Sequence, residues 1–202
     1  MDALTKRLID ITYKENLCHL SSCLSSLPII EEIYTNKQEN DIFILSNGHA
    51  ALALYCVLEK FYGIDAIYLL HKHGVHPSKN IDDKIYCSTG SLGCGLPIAV
   101  GHALSDRTKN VWCLISDGEC AEGSIWESLA FAYKSNLNNL KIYVNINGMA
   151  AYEYIDVCNL KNRLLAFFPD IMIRESPVPE YTFASGLLSH YYILKKEDYE
   201  KL

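Results

Sequence analysis

No CxxC pair occurs in this sequence, which argues against a zinc ribbon or a thioredoxin-like redox centre. No apolar run reaches the ~20 residues needed to span a bilayer. The opening stretch, MDALTKRLIDITYKEN, lacks the basic and apolar regions of a signal peptide. There is no dense Lys/Arg cluster, and 18 basic residues stand against 24 acidic ones for a net charge of −6. That balance argues against nucleic acid as the main partner. Repeats and low-complexity linkers are also absent. The expectation is a single cytoplasmic domain over residues 1–202, since a domain averages roughly 150 residues. What is present fits a globular chain: 50% of residues are hydrophobic and 21% charged. The eight cysteines are scattered, several among apolar neighbours, and read as reduced thiols packing like small hydrophobes.

Short β-rich runs alternate with helical runs, which predicts an α/β fold with a mostly parallel sheet. Residues 2–15, 27–37, 49–62 and 96–106 read as helices, with a strand at 41–46 and a polar loop over 71–89. The clearest unit is 111–147. VWCLIS is a strand, Ser124-x-x-Glu127 matches a capping box opening a helix, and KIYVNI is a second strand. A strand, helix and strand in this span make a βαβ unit, whose strands run parallel. Asp117 and Asn147 then lie at the carboxyl ends of neighbouring strands, the edge where open α/β sheets bind ligands.

Three features carry chemistry. Asp117 and Asn147 are hard oxygen donors suited to Mg²⁺ or Ca²⁺, although Asp-Gly and Asn-Gly are also ordinary turn signals. The run Ser88-Thr-Gly-Ser-Leu-Gly-Cys-Gly95 precedes an apolar helix, and a Gly-rich turn at a helix start suits a phosphate. It is neither a Walker loop, because Leu96-Pro97 stands where Lys-Ser/Thr is needed, nor a complete dinucleotide fingerprint. His19, His49, His76 and His190 lie in polar or small-residue contexts and could meet at one site, where neutral imidazoles bind hydroxyls. His71 and His73 read as solvated loop residues, and a His71/His73/His76 metal site has no supporting context. His102 reads as a packed helical residue.

In order along the chain, these residues resemble the transketolase family. Asp117-Gly-Glu-Cys-Ala-Glu-Gly-Ser-Ile-Trp-Glu127, followed by Asn147, is similar to that family's thiamine diphosphate motif. CHLSS (18–22), ILSNGHAALALY (44–55), VHP (75–77) and STGSLGCG (88–95) resemble four further family segments. The likeness runs from about residue 5 to about residue 155.

The resemblance implies a thiamine diphosphate-binding fold and a set of roles. Asp117, Asn147 and the carbonyl of Met149 would hold Mg²⁺ (or Ca²⁺). Gly90, Ser91, Leu92, Gly118, Glu119 and Asn147 would contact the cofactor, with His49 near its diphosphate. His19, His76 and His190 would face the donor sugar, and Glu122 would sit at a subunit interface linking two active sites. Several positions depart from the family pattern. Ser116 and Asn145 replace a Gly and an acidic residue, and Ala184 and Ser185 stand where a Lys-containing segment is expected. The stretch between Asn147 and Thr182 is shorter than in the family, which implies a trimmed strand and helix. The family's pyrimidine-binding domain has no room in 202 residues. The implied protein is therefore the diphosphate-binding subunit of a split transketolase-like enzyme acting on sugar phosphates. A carboxy-terminal partner subunit, an α2β2 assembly and a docking surface near the Gly-rich loop go with it. The alternatives are a 2-oxoacid decarboxylase or dehydrogenase subunit with the same cofactor, and a non-catalytic regulatory subunit. The histidine set and Glu122-Gly-x-x-Trp126-Glu127 favour ketol transfer from a ketose to an aldose.

Overall fold

A computed structural model describes residues 1–150, 153–176 and 186–202. Its centre is a parallel sheet of four strands in the order β1-β2-β3-β4: Ile42–Leu45 (β1), Val111–Ser116 (β2), Leu140–Ile146 (β3) and Met172–Glu175 (β4). Successive side chains along a strand face opposite sides of a sheet, and here both sides are apolar. Phe43, Leu45, Leu114 and Tyr143 pack on helices Ala3–Lys14 (α1), Leu20–Asn36 (α2), Ala51–Tyr62 (α3) and Ala66–His73 (α4). Ile44, Cys113, Ile115, Ile142 and Val144 pack on Gly95–Ser105 (α5), Gly123–Lys134 (α6) and Val157–Phe167 (α7). The result is three layers, and the expected α/β fold with its βαβ unit is present. A short last helix, Lys196–Tyr199 (α8), returns to α1, where Tyr199 stacks on Tyr13 at 4.2 Å and its hydroxyl donates to Asp10.

Several local expectations need correction. The second helix begins at Leu20, seven positions before the predicted start, and contains Pro28 in its interior. Its Ser-rich first half has weak helix propensity, but that half is almost wholly buried between α3 and β3, and packing overrides propensity. Part of the predicted 71–89 loop is helical, since α4 ends at His73. The capping box does not form. Glu122 is the N-cap of α6 without a side-chain bond, and Ser124 Oγ donates instead to the carbonyl of Gly93 at 2.8 Å. Between Asn147 and Thr182 lie α7 and β4, neither of which was predicted. Ala184 and Ser185 lie outside the described residues. All eight cysteines are free. Five are buried as expected, whereas Cys94 and Cys158 are exposed. No helix among the described residues is long and apolar enough to cross a membrane.

The Gly-rich loop is pressed against the carboxyl end of the sheet. A Cβ on Gly95, the first residue of α5, would lie 2.6 Å from Ser46 Cα. Gly93 has φ +76°, and a Cβ there would meet Glu122 Cβ at 2.7 Å. Gly95→Ala must therefore push its new Cβ against the Ser46 backbone, and overpacking of this kind destabilises by about 1–3 kcal/mol. Urea unfolding should show a midpoint lowered accordingly, and an unchanged midpoint would refute the packing described.

Candidate functional site

The carboxyl ends of β1, β2 and β3 open onto one cavity of about 340 Å³. Ser46-Asn47 extends from β1, Ser116-Asp117-Gly118 from β2 and Asn147-Gly148-Met149 from β3. Asp117 is 2% exposed, and its carboxylate is held by the backbone. Oδ2 accepts from the N–H of Asn147 at 2.9 Å and of Gly148 at 2.7 Å, and Oδ1 from the N–H of Gly118 at 2.9 Å. Burial raises the Asp117 pKa to about 6 against those bonds. Asn147 Oδ1 accepts from the N–H of Met149 at 2.9 Å. One carboxylate, one carboxamide and nearby carbonyls form a hard-oxygen donor set suited to Mg²⁺ or Ca²⁺.

Four histidines approach from separate elements. His19 has a left-handed backbone (φ 63°) as the N-cap of α2, and its N–H donates to the carbonyl of His190 at 3.0 Å. His49 lies on the 3-10 turn Gly48–Ala50, and His190 on the 3-10 segment Gly186–Tyr191. The ring of His19 is 4.5 Å from that of His190 and 5.5 Å from that of His49. His76 completes this wall. Burial, then repulsion from His190 and His76, lowers the His19 pKa to about 4. Burial and the other imidazoles lower that of His49 to about 3, and burial alone lowers that of His190. These three rings are neutral at pH 7.

The predicted residues divide in two. His19, His49, His76, His190, Gly90, Leu92, Asp117, Gly118, Asn147 and Met149 line the cavity together. Ser91 is exposed and lies outside it. Glu119, predicted to touch a cofactor, is fully buried and turned inward. Its carboxylate accepts from Ser46 Oγ at 2.7 Å, Gly93 N–H at 2.9 Å and Ser116 N–H at 3.0 Å. Glu119 therefore ties two strand ends to the Gly-rich loop. Glu122 is exposed at the start of α6 and lines no part of the cavity. His73 is not solvated, because its side chain is 4% exposed and bonded to Asp83, while the exposed His71 pairs with Glu15. No cluster of three or more His, Cys, Asp or Glu with metal-binding geometry exists among the described residues, so the His71/His73/His76 site is absent.

Sequence reasoning missed Ser22, Asn47 and Tyr191 as lining residues, and it noted Asn145 only as a departure. Asn47 Nδ2 donates to Ser26 Oγ at 3.1 Å, and Asn145 Nδ2 to Ser25 Oγ at 2.9 Å. Their Oδ1 atoms, and Nδ1 of His19, are buried without a protein partner in the wall of the same cavity. Such atoms mark a place for a hydrogen-bonding ligand. Together with the oxygen donors around Asp117, they fit a polar group bearing a metal-bound diphosphate.

Comparison with known proteins points the same way. The family described as "Transketolase, thiamine diphosphate binding domain" matches residues 30–162. Transketolase-like protein 2 of Bos taurus is 33% identical over 174 residues, covering 74% of this chain and 28% of that protein. An apulose-4-phosphate transketolase subunit of Phocaeicola vulgatus is 28% identical over 191 residues, covering 83% of this chain and 68% of that protein. This chain spans only 24–28% of the length of the transketolase-like relatives it matches. Among solved structures, a Campylobacter jejuni transketolase aligns with a TM-score of 0.67 at 23% identity, over 81% of this chain and 30% of that one. A Pichia stipitis transketolase aligns at 0.74 and 19%, over 96% and 38%. These two likenesses concern the fold.

Two outcomes follow from the geometry. Removing the Glu119 carboxylate leaves three buried donors without an acceptor. Glu119→Ala should lower the unfolding free energy by about 3 kcal/mol or more, since each unpaired buried group costs about 1–3 kcal/mol. A loss below about 1 kcal/mol in chemical denaturation would contradict the role given to it. The second outcome concerns pH. Below the ordinary histidine value of 6.5 the unfolded chain takes up protons that folded His19 refuses until about pH 4. Stability should therefore fall as pH drops from about 6.5 to about 4, partly offset by Asp117, whose raised pKa acts with the opposite sign. His49→Gln should flatten that decline, and an equal slope in both proteins would disprove the burial of a neutral His49.

Proposed function

The chain belongs to the transketolase family by its match to the thiamine diphosphate-binding domain, and from that premise we propose that it is one half of a split transketolase-like enzyme. In this reading residues 1–202 form the diphosphate-binding domain, and a carboxy-terminal partner subunit brings the pyrimidine-binding domain. The reaction is transfer of a two-carbon ketol unit from a ketose phosphate to an aldose. The observation that carries the reading is the convergence of Asp117, Asn147 and Met149 with four histidines on one cavity.

Asp117, Asn147 and the Met149 carbonyl would hold Mg²⁺, or Ca²⁺ in its place, against the diphosphate. Gly118 and Gly90 expose backbone there, with His49 alongside. When bound, thiamine diphosphate supplies the nucleophilic carbon and the electron sink needed to break a bond beside a carbonyl. The protein's own part is to hold and orient the donor. His19, His76 and His190 would bind its hydroxyls and carbonyl oxygen. Among the described residues no Lys or Arg lines the cavity, which disfavours a 2-oxoacid carboxylate as the donor group.

The partner is supported by one relative and by surface. One relative is itself named as a subunit. Cys94, Pro97, Ile98, Gly101 and Leu104 of the Gly-rich loop and α5 are exposed in an apolar stripe that the partner subunit would cover. Glu122, exposed beside this stripe, would lie at the interface of an α2β2 assembly. The free thiols fit a reducing cytoplasm.

The test is calorimetry with thiamine diphosphate and Mg²⁺ on the co-expressed pair, with ketol transfer assayed in parallel. Binding is expected for the pair and is expected to be lost in Asp117→Ala. Transfer is expected for the pair and not for this chain alone. Full activity of the single chain, or no cofactor binding by the intact pair, would refute the reading.

A further inference from the structure

Tyr191 has no role in the account above. An inference about it rests on that account and concerns which donor the same cavity accepts. Tyr191 directly follows His190. Its ring stands edge-on to that of His190 at 4.6 Å and 84°, and tilted toward that of His19 at 5.7 Å and 58°. It lines the cavity yet is 53% exposed, so it stands at the mouth rather than in the floor. The floor is polar, formed by Asp117, Asn147 and the carboxamides of Asn47 and Asn145. Aromatic rings 4.6 Å apart are in van der Waals contact, so no molecule passes between Tyr191 and His190. A molecule that reaches His190 or His19 from the mouth of the cavity passes alongside the phenol ring.

An aromatic ring offers a broad, rigid apolar face. A sugar bound through its hydroxyls to imidazoles presents its C–H edge to such a face. We propose that Tyr191 is a specificity-determining residue, a wall that packs against the C–H edge of the bound ketose and limits the length of its carbon chain. Apolar walls discriminate between substrates differing by one carbon, at about 10- to 200-fold per methylene. The wall bears on how a donor fits and not on the bonds that react. Its effect therefore falls on KM and on the ranking of donors rather than on the cofactor.

The experiment uses the full chain with its partner subunit, loaded with thiamine diphosphate and Mg²⁺, as wild type, Tyr191→Phe and Tyr191→Gly. Five-, six- and seven-carbon ketose phosphates serve as donors, with kcat and KM measured for each. Thiamine diphosphate affinity is measured separately by calorimetry. Tyr191→Phe should keep the donor ranking. Tyr191→Gly should keep cofactor affinity, raise KM for the donor preferred by the wild type, and shift kcat/KM about ten-fold or more toward longer donors. An unchanged ranking in Tyr191→Gly would overturn the inference. So would a joint loss of cofactor affinity, which marks a structural role, or failure of the variant to copurify with the partner, which marks an interface role. A wild-type pair that binds no thiamine diphosphate, or transfers from none of the donors, refutes the functional reading first and this inference with it.

Discussion

One buried carboxylate organises the carboxyl edge of the sheet. Glu119 reaches back from the turn after β2 and accepts from Ser46 at the end of β1, from the N–H of Ser116 at the end of β2, and from the N–H of Gly93. Burial raises its pKa against these three bonds, so the site accepts a desolvation penalty to fix its geometry. Hydrogen bonds to a carboxylate contribute about 1.5–3 kcal/mol each, enough to hold a loop whose own residues have little to pack. With that bond set in place, Gly93 must take a positive φ under Glu122, and Gly95 must start α5 against Ser46. Gly90 and Leu92, carried on the same loop, then face Asp117 across the cavity.

The opposite wall is built from distant parts of the chain. His190 comes from the last segment of the sequence, and its carbonyl accepts from the N–H of His19 at the head of α2. The tail holds that position through contacts well away from the cavity: Tyr199 stacks on Tyr13 and donates to Asp10, and Tyr192 donates to Asp198. An aromatic stack of this kind contributes about 0.5–1.5 kcal/mol beyond its buried area. Among the described residues no carboxylate contributes to the shifts of His19, His49 or His190. At His19 and His49 burial and repulsion from the other imidazoles act in the same direction, and both rings stay uncharged at neutral pH.

The sequence made some of this plain and hid the rest for identifiable reasons. The βαβ unit was legible because VWCLIS and KIYVNI are β-branched runs bounded by Asp-Gly and Asn-Gly, and a crossover fixes their relative direction. With the strands parallel, Asp117 and Asn147 had to share an edge. The four histidines could be suspected from context, but only the fold shows them to be neighbours. The role of Glu119 was misread because its motif neighbours face the cavity, while its own side chain turns beneath the Gly-rich loop. The start of α2 was misplaced because Ser-rich sequence with a following Pro reads as a helix beginning at Pro28. Burial of Leu20, Cys23, Leu24 and Leu27 against neighbouring helices outweighs that local signal. Asn47 gave only a turn signal, and nothing local indicates that its carboxamide reaches Ser26 on α2.

The carboxamides bear most directly on what the cavity is for. Ser26 Oγ, fully buried, accepts from both Asn47 and Asn145, and this fixes both amides while each Oδ1 stays buried without a protein partner. A buried acceptor without a partner costs about 1–3 kcal/mol, and two carboxamide oxygens and an imidazole nitrogen stand in that state along one wall. A fold that needed only to be stable would place apolar groups there, since exchanging a buried polar group for a matched apolar one is near neutral or better. The polar wall therefore makes sense as binding capacity held ready. A ligand toward which these side chains turn to pair those atoms offsets the desolvation penalty already incurred, so its affinity and the stability of the fold rise together.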